Sequence, residues 1–428
     1  MAPSIPSVTA PTERADPSGA GFLAPPAGPL DLSRHTFPSR LGGAGTFTIL
    51  DITKYFGETT GGIRTYLLAK ARYIQSRPEL RHLLIVPGAE DSLAEEQGVR
   101  CYRLRGPRVP FDQSYRFLLA TKTTRRILEH ERPDLIEVGS PWLVPWVTRR
   151  ANCGLRAPLV WFYHTHFPGI IAPALATPVR RAAGRLAWNY ARRLSSIFRG
   201  VLVASDTMGR ALEREGIDRV HRVALGVDLT RFHPARRDHA EDVRRRHGLP
   251  DAPLVCYLGR FAGEKQLEVA LAAWREVERR TGAWLVLVGQ GPREGRLRAL
   301  AEGLQVRWLP YVADRDQVAD LLAAADLYLA PGPAETFGLS AIEAMASGTP
   351  VLSVDAGAVA ERVRLSGAGA LYGPGDAGAF AEAAITLLRG DLRRLGQTAR
   401  EHAERHHDWR TAFDGIVRVY RELSRVAG

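Results

Sequence analysis

The fold of this chain is decided by residues 327–354, LYLAPGPAETFGLSAIEAMASGTPVLSV. The segment begins with an apolar run, Leu327–Ala330, and continues through a loop rich in proline and glycine. It then turns into a short helix that Gly348 and Pro350 end, and a second apolar run follows at once. Two short apolar runs joined by a helix are typical of neighbouring strands in a parallel sheet. The segment therefore predicts an α/β fold.

The same alternation of apolar runs and helical stretches continues outward from this segment and begins at residue 46. After the first run and a loop, it predicts a helix over Ile63–Gln75. The predicted strands are Thr46–Asp51, Leu83–Val86, Leu135–Val138, Leu159–Tyr163, Gly200–Ala204, Leu254–Leu258, Trp284–Val288, Val306–Leu309, Leu327–Ala330 and Pro350–Val354. A polar, charged stretch over Gly226–Pro250 interrupts the pattern and predicts a linker. We therefore expect two Rossmann-like parallel-sheet domains that face each other across a cleft.

Composition limits the class of protein. With 428 residues, 45% hydrophobic and 24% charged, the chain is long enough for two domains and resembles soluble globular proteins. No apolar run approaches the roughly 18 residues of a membrane-spanning helix. The first 40 residues hold eight prolines and lack the apolar core of a signal peptide, so we predict a disordered tail over 1–44. Cys101, Cys153 and Cys256 show no metal-ligand spacing, which fits a reduced, cytoplasmic protein.

The net charge of +12 and the pI near 10.0 suggest an anionic partner. Arginine carries nearly all of this charge, because the chain has only four lysines. The arginines are scattered over the predicted helices of both domains, and no RNA-stacking module is recognisable. A nucleic-acid-binding protein is therefore one alternative for the function, and retention on heparin would support it.

Two loops at the carboxyl ends of predicted strands fit a negatively charged ligand. In Thr59-Thr60-Gly61-Gly62, the glycines allow close approach to the backbone, and the following helix offers free N–H groups. Taken alone, these four residues are explained more simply by a tight strand–helix turn. Arg260 and Lys265 follow the first strand of the second domain, where a planar guanidinium and a mobile ammonium can clamp a diphosphate. An ordinary solvated loop is the alternative for this basic pair.

The loop within residues 327–354 carries the most chemistry. The backbone amides of Phe337, Gly338 and Leu339 lie at the predicted helix start, where unpaired N–H groups suit phosphate. Glu335 lies before the helix and Glu343 lies within it, so the two carboxylates need not bind the same ligand group. One fits sugar hydroxyls and the other fits ribose hydroxyls, although Glu335 could also serve only as a helix cap.

This loop, in its context, resembles the signature of retaining glycosyltransferase family 4. The matching pattern is E-x-F-G-L-x-x-x-E-A-M-A-x-G-x-P-V, with seven residues between the glutamates. Similar matches are LGRFAGEKQLEVALAAW, the interdomain pattern G-V-D-x-x-x-F-x-P, the glycine loop VLVGQGPREGRLRAL and ADLYLAPGPAETFG. Together the matches span roughly residues 46–425. The chain looks most like members that glycosylate lipids with mannosyl or glucosyl groups.

The resemblance implies a GT-B fold and a hexosyltransferase that uses a nucleotide diphosphate sugar of the GDP-mannose or UDP-glucose type. An acceptor domain would cover 45–232, a nucleotide-sugar domain 233–405, and a helix over 406–428 would cross back to the first domain. Arg260 and Lys265 would hold the diphosphate, Glu335 the donor sugar and Glu343 the ribose. The amides of Phe337, Gly338 and Leu339, and Gly61 and Gly62 from the opposite domain, would contact the donor. No metal or other cofactor is expected, since basic groups and a helix start would stabilise the departing diphosphate.

A histidine pair lies at the end of a predicted strand in the first domain, within Trp161-Phe-Tyr-His164-Thr-His166-Phe-Pro-Gly169. Family members often carry H-T-D-F-P here, so His164 is the first choice for a contact with the donor sugar. His166 replaces the aspartate of that pattern and is the second choice. Tyr311 and Val312, after a strand of the second domain, are the predicted wall for the base. The resemblance also implies a front-face substitution, in which the leaving phosphate accepts the proton of the acceptor.

Two further patterns leave alternatives open. Gly289, Gly291 and Gly295 resemble a dinucleotide fingerprint, which would indicate an NAD-dependent protein, but the third glycine is one residue late. Residues 178–200 read as a basic amphipathic helix with Leu186, Tyr190, Leu194 and Ile197 on one face. This helix either packs on the sheet with solvated arginines or docks on an anionic bilayer. The second interpretation would place the protein at the inner face of the membrane, acting on a lipid rather than a small-molecule acceptor.

Overall fold

The computed structural model describes residues 31–34, 36–56, 61–110, 112–171 and 177–425. Its elements form two parallel sheets, each covered by helices, and the two domains meet along a cleft. The predicted fold class is therefore confirmed. Each sheet belongs to one of the two predicted domains.

The N-terminal domain holds an eight-stranded sheet with the order β10-β9-β8-β7-β1-β2-β4-β3. Its pairs are parallel except for β3 and β4, which are antiparallel. The elements are β1 Phe47–Ile52, α1 Gly62–Gln75, β2 Leu80–Gly88, β3 Ser92–Glu96, β4 Val99–Arg105, β5 Arg108–Val109, β6 Asp112–Arg116, α2 Thr121–Glu131, β7 Leu135–Val138, α3 Leu143–Ala151, β8 Leu159–Phe162, α4 Phe167–Ile171, α5 Thr177–Ser195, β9 Gly200–Val203, α6 Asp206–Arg214 and β10 Val220–Arg222. Strands β7, β8 and β9 are buried throughout, as continuous apolar runs require.

The C-terminal domain holds a six-stranded, wholly parallel sheet with the order β13-β12-β11-β14-β15-β16. The elements are α7 Ala240–His247, β11 Leu254–Leu258, α8 Leu267–Thr281, β12 Trp284–Val288, α9 Glu294–Leu300, β13 Val306–Leu309, α10 Arg315–Ala324, β14 Leu327–Ala330, α11 Leu339–Ala346, β15 Val351–Val354, α12 Gly357–Ser366, β16 Gly369–Tyr372, α13 Ala377–Arg389 and α14 Leu392–His406. The chain ends in one more helix, α15 Trp409–Arg425. Strands β11 to β14 have the predicted bounds.

The last helix, α15, lies on the N-terminal domain although α14 lies on the C-terminal one. The crossing is fixed where the amide of Val227 donates to the carbonyl oxygen of His407 at 2.8 Å. Further along α15, the amino group of Lys70 on α1 donates to the hydroxyl oxygen of Tyr420 at 2.9 Å. The two domains are therefore joined twice, before α7 and after α14.

The predicted disordered tail over 1–44 is wrong for its final part, while residues 1–30 and residue 35 lie outside the described residues. The side chain of Leu32 is 0% exposed and belongs to the core of the N-terminal domain. The amide of Leu41 donates to the carboxylate of Glu131 at 3.0 Å, and Arg40 donates to the carbonyl oxygen of the same residue at 2.7 Å. These contacts hold the segment in place, because its polar groups form hydrogen bonds with the domain instead of with water.

The predicted linker over Gly226–Pro250 is also too long. A 3₁₀ helix at Pro234–His239 and helix α7 occupy most of it. Val243 is buried against the second sheet, and Arg236 pairs with Asp316 and Asp320 at 2.6 Å each. These contacts place residues 234–247 in the C-terminal domain.

Candidate active site

The cleft between the domains has a volume of 1410 Å³ and is lined by loops from both sheets. It brings together twelve of the residues predicted for the site. These residues are Gly61, Gly62, His164, Arg260, Lys265, Tyr311, Val312, Glu335, Phe337, Gly338, Leu339 and Glu343. Thr59 and Thr60 of the first predicted loop lie outside the described residues.

The loop between β14 and α11 is held in one conformation by two close contacts. Gly338 caps α11 with a φ of 76°, in the left-handed region that favours glycine. A Cβ atom on Gly338 would lie 2.2 Å from Cγ2 of Val359, so there is also no room for a side chain. The carbonyl oxygen of Glu335 accepts a hydrogen bond from the amide of Ala358 at 2.9 Å. These contacts with α12 fix the backbone of the loop, and with it the positions of the Glu335 side chain and of the amides at the start of α11.

Lys265 and Glu335 form an ion pair across the floor of the cleft. Their side chains are 24% and 26% exposed, so both groups remain accessible to a ligand. Burial disfavours the charge on Lys265, but the carboxylate of Glu335 outweighs it, and the pKa of the lysine lies above its ordinary value. Lys265 is therefore a positive charge in the loop that follows β11, at the end of the 3₁₀ helix Gly263–Lys265.

The loop that carries Arg260 packs on the glycine loop after β12. A Cβ atom on Gly289 would lie 2.1 Å from the carbonyl oxygen of Gly259, and one on Gly291 would lie 2.3 Å from that of Phe261. The amide of Phe261 donates to the carbonyl oxygen of Gln290 at 3.0 Å. Gly289 and Gly291 therefore serve the close packing of two backbones, which accounts for these two glycines of the apparent dinucleotide fingerprint.

Glu343 is buried in α11 and pairs with Arg315, the first residue of α10. Burial raises the pKa of Glu343, and the charge of Arg315 opposes this effect. The guanidinium of Arg315 also lies 5.1 Å from the ring centre of Phe232. Sequence reasoning missed Arg315, although a basic residue three positions after Val312, in the predicted wall for the base, was a usable signal.

The amino end of α1 approaches the same loop from the N-terminal domain. A Cβ atom on Gly62 would lie 3.8 Å from the side chain of Leu339, whereas one on Gly61 would have no neighbour within 4 Å. Tyr66, one turn further along α1, also faces the cleft. Sequence reasoning missed Tyr66, although its spacing of four residues from Gly62 places both on one face of the helix.

His164 follows β8 and lines the cleft. Its ring stacks on Phe162, with 4.1 Å between ring centroids and 6° between planes. Its Nε2 atom is buried and has no hydrogen-bond partner within the described part of the chain. Burial, followed by the positive charge of Lys70, lowers the pKa of His164 to about 3, so the ring is neutral at physiological pH.

His166 is not among the residues that line the cleft. Its Nδ1 atom lies 2.9 Å from the hydroxyl of Tyr163, and its ring lies 5.6 Å from that of Trp188. Burial lowers the pKa of His166 to about 4. The structure therefore places the second-choice histidine in the packing of the N-terminal domain, away from the other predicted residues.

The two domains touch directly behind the cleft. The hydroxyl of Thr336 donates to the carbonyl oxygen of His164 at 2.8 Å. The carboxylate of Glu361 accepts from the amides of Asp206 and Thr207, at 3.1 and 2.7 Å, and so caps α6 of the other domain. Arg362 lies 4.2 Å from the ring centre of Phe337 and donates to the carbonyl oxygen of Ala204 at 3.0 Å. These contacts tie the donor-side loop to the N-terminal domain.

Within the described ranges, no group of three or more His, Cys, Asp and Glu side chains is arranged to hold a metal ion. The positive groups that line the cleft include Arg260, Lys265 and Arg315. Independence from metal therefore remains a prediction about the reaction.

Comparison with known proteins agrees with this site. Residues 60–231 match the family model of Glycosyltransferase Family 4, and residues 239–402 match that of Glycosyl transferases group 1. A GDP-mannose-dependent alpha-(1-6)-phosphatidylinositol dimannoside mannosyltransferase of Mycobacterium tuberculosis is 32% identical over 362 residues, which cover 83% of this chain and 91% of that protein. A GDP-mannose-dependent alpha-mannosyltransferase of Mycolicibacterium smegmatis is 31% identical over 330 residues, covering 76% of this chain and 82% of that protein.

Among solved structures, the sucrose-phosphate synthase of Thermosynechococcus elongatus superposes with a TM-score of 0.71 at 22% identity. The superposition covers 89% of this chain and all of that one. The chain has the GT-B fold, and it belongs to glycosyltransferase family 4. It is a retaining glycosyltransferase that moves a hexose from a nucleotide diphosphate sugar to an acceptor hydroxyl. This result removes the nucleic-acid-binding and NAD-dependent alternatives.

Proposed function

We propose that the chain is a GDP-mannose-dependent mannosyltransferase whose acceptor is a phosphatidylinositol-type glycolipid at a bilayer surface. The two relatives described above, both more than 30% identical, are named as GDP-mannose-dependent enzymes, which supports the donor. The exposed, arginine-rich face of α5 in the acceptor-side domain is the observation that carries the acceptor.

In the donor site, Arg260 and Lys265 bind the diphosphate. The ammonium of Lys265, now paired with Glu335, would be shared with a phosphate oxygen, which frees the carboxylate for hydroxyls of the sugar. The amides of Phe337, Gly338 and Leu339 add the positive end of α11. Because these groups lie where negative charge develops, they favour departure of the diphosphate.

The nucleoside and the sugar are held by the remaining predicted residues. Glu343, oriented by its pair with Arg315, accepts from the ribose hydroxyls, and Tyr311 and Val312 form the wall for the base. Gly61 and Gly62 close on the diphosphate from the opposite domain. His164, neutral and partly exposed in the cleft, contacts the donor sugar.

The reaction is a front-face substitution that positioning and charge promote. The acceptor oxygen forms a bond to the anomeric carbon on the face from which the diphosphate leaves. The bond from this carbon to the phosphate oxygen breaks, and that oxygen takes the proton of the acceptor hydroxyl. No side chain is required as a nucleophile or a base, and the configuration is retained.

Helix α5 supports a bilayer acceptor, although its apolar face differs from the predicted one. Leu194 is fully buried and Tyr190 is half-buried, because the helix packs on the sheet. Leu186 is 68% exposed, however, and Arg185, which precedes it, and Arg181, one turn before Arg185, are exposed as well. Exposed leucine next to arginine suits the interface of an anionic bilayer. No helix in the described part of the chain is long and apolar enough to cross a membrane.

The donor is tested by thermal shift and turnover with GDP-mannose, UDP-glucose and ADP-glucose, with and without EDTA. We expect GDP-mannose alone to raise the melting temperature strongly and to be hydrolysed slowly, at a rate that EDTA does not change. Glu335→Ala should abolish hydrolysis, while Glu382→Ala, an exposed residue of α13, should not. Equal or better turnover of another nucleotide sugar would refute the proposed donor, and loss of turnover in EDTA would refute metal independence.

The acceptor is tested with vesicles of phosphatidylcholine that contain or lack phosphatidylinositol mannosides. We expect sedimentation with the anionic vesicles and transfer of mannose to the lipid. Leu186→Ser combined with Arg185→Ser should weaken both, without changing hydrolysis of GDP-mannose in solution. Leu365→Ser is the matched control, because Leu365 is 74% exposed on the other domain. Equal vesicle binding and lipid transfer in the α5 variant and the control would contradict the proposal.

A further inference from the structure

A cluster of ionisable side chains is buried beneath the cleft in the N-terminal domain. The ammonium of Lys70 on α1 donates to both carboxylate oxygens of Asp51, at 2.9 and 3.0 Å, and to Glu137 at 3.2 Å. The Nε2 atom of His82 lies 2.5 Å from the carboxylate of Asp51. Each of these side chains is no more than 2% exposed. Burying several ionisable groups together is unfavourable unless they pair with one another, so the presence of this cluster calls for an explanation.

The cluster also receives the C-terminal helix. The hydroxyl of Tyr420 on α15 accepts from Lys70 at 2.9 Å and donates to the carboxylate of Glu137. The hydroxyl of Tyr66 on α1 lies 3.2 Å from the same carboxylate and 3.3 Å from the hydroxyl of Tyr420. Strands β1 and β7, helix α1 and helix α15 are therefore joined through five side chains.

Tyr66 extends this buried cluster to the cleft. Its ring lies 5.2 Å from that of His164, and the ring of Phe162 packs against both. Tyr66 is also one helical turn from Gly62, so its orientation and the position of the amino end of α1 are linked. Whatever fixes Tyr66 fixes two parts of the donor site.

We propose that Tyr66, Lys70 and Tyr420 are positioning residues, which hold the ring of His164 and the amino end of α1 in place for transfer. Helix α15 is in this view part of the transfer machinery as well as part of the fold. The inference rests on the proposed contact of His164 with the donor sugar.

The test compares two buried tyrosine hydroxyls. Tyr420→Phe removes the hydroxyl at the centre of the cluster. Tyr102→Phe is the matched control, because the hydroxyl of Tyr102 also donates to a buried glutamate, Glu131, at 2.5 Å, and it lies outside the residues that line the cleft. Both variants should lower the melting temperature to a similar extent, by about 2–4 °C. Kinetics with GDP-mannose and the NMR signal of His164, identified by its absence in His164→Ala, are then measured for each.

We expect Tyr420→Phe to lower kcat about ten- to a hundredfold with little change in KM and to shift the His164 signal. Tyr102→Phe should leave kcat and the signal unchanged. Unchanged kcat and an unchanged His164 signal in Tyr420→Phe would overturn the inference. Should Tyr420→Phe not fold, Tyr66→Phe is measured in the same way and decides the question.

His164→Ala separates this inference from the proposed function. If His164→Ala transfers mannose as the wild type does, the proposed role of His164 fails, and the inference fails with it. If His164→Ala is impaired but neither Tyr420→Phe nor Tyr66→Phe is, the positioning inference alone fails. The NMR measurement needs no donor, so it remains decisive even if GDP-mannose is not the substrate.

Discussion

Gly338→Ala should damage the donor site by a calculable amount, since two separate effects act at this position. A residue other than glycine in the left-handed region costs about 1–2 kcal/mol. The new methyl group would lie 2.2 Å from Cγ2 of Val359, and overpacking of this kind costs about 1–3 kcal/mol. The free energy of unfolding should therefore fall by about 2–5 kcal/mol. If the backbone relieves the clash by moving the amides of α11, affinity for the donor falls by about 5- to 150-fold.

Gly216→Ala is the control for the backbone effect. Gly216 also has a φ of 76°, but a Cβ atom there would have no neighbour within 4 Å. Gly216→Ala should therefore lower the free energy of unfolding by only about 1–2 kcal/mol and leave the affinity for the donor unchanged. Urea unfolding and calorimetric titration with GDP-mannose measure both quantities, and adding Val359→Ala to Gly338→Ala should restore part of the affinity. Equal stability losses in the two glycine variants, or unchanged affinity in Gly338→Ala, would refute the reasoning.

Three further predictions concern charge. Burial, followed by repulsion from Asp51, raises the pKa of Glu137 from 4.5 to about 8. Between pH 5 and 8 the folded state therefore keeps a proton that the unfolded state has lost. The free energy of unfolding of the wild type, measured in urea, should fall over this range relative to that of Glu137→Gln. Parallel pH profiles for the two proteins would contradict this prediction. Lys265→Ala should lower kcat/KM for the donor about 10²- to 10³-fold, whereas Lys122→Ala on α2 should not. Similar values of kcat/KM for both variants would exclude a role for the charge of Lys265 in the reaction. Glu361→Gln should weaken the cap on α6 by about 1 kcal/mol and raise the dissociation constant of the donor roughly fivefold. Glu382→Gln should change neither, and equal titration curves for the two variants would refute coupling between this interdomain contact and donor binding.

The sequence predicts those elements and loops that are determined by residues close together in the chain. Strands β11, β12 and β14 coincide with their predicted bounds, because strands buried on both faces read as uninterrupted apolar runs. The donor loops were found because they follow such strands at the carboxyl edge of a sheet. The glutamate pair at 335 and 343 was recognisable since both residues lie in one short segment.

Other features depend on partners far away in sequence. Strand β4, Val99–Arg105, was missed because Arg100 breaks its apolar pattern. Arg100 is buried because Glu95 and Glu131, the latter 31 residues further on, both pair with it. The pair of Arg315 with Glu343 was not foreseen either, because it requires α10 and α11 to be neighbours. For the same reason, the exposed face of α5 could not be told from its buried face by periodicity alone.

The position of Tyr420 has a consequence for how the protein is made. Tyr420 follows Lys70 by 350 residues, and domains made first on the ribosome usually fold first. The N-terminal domain, however, holds Lys70, Asp51 and Glu137 in a core that α15 completes. We expect this domain to remain loosely packed during synthesis and to gain its full resistance to proteolysis only when α15 has left the ribosome. The GT-B enzyme would then become active in one late step, with both halves finished together.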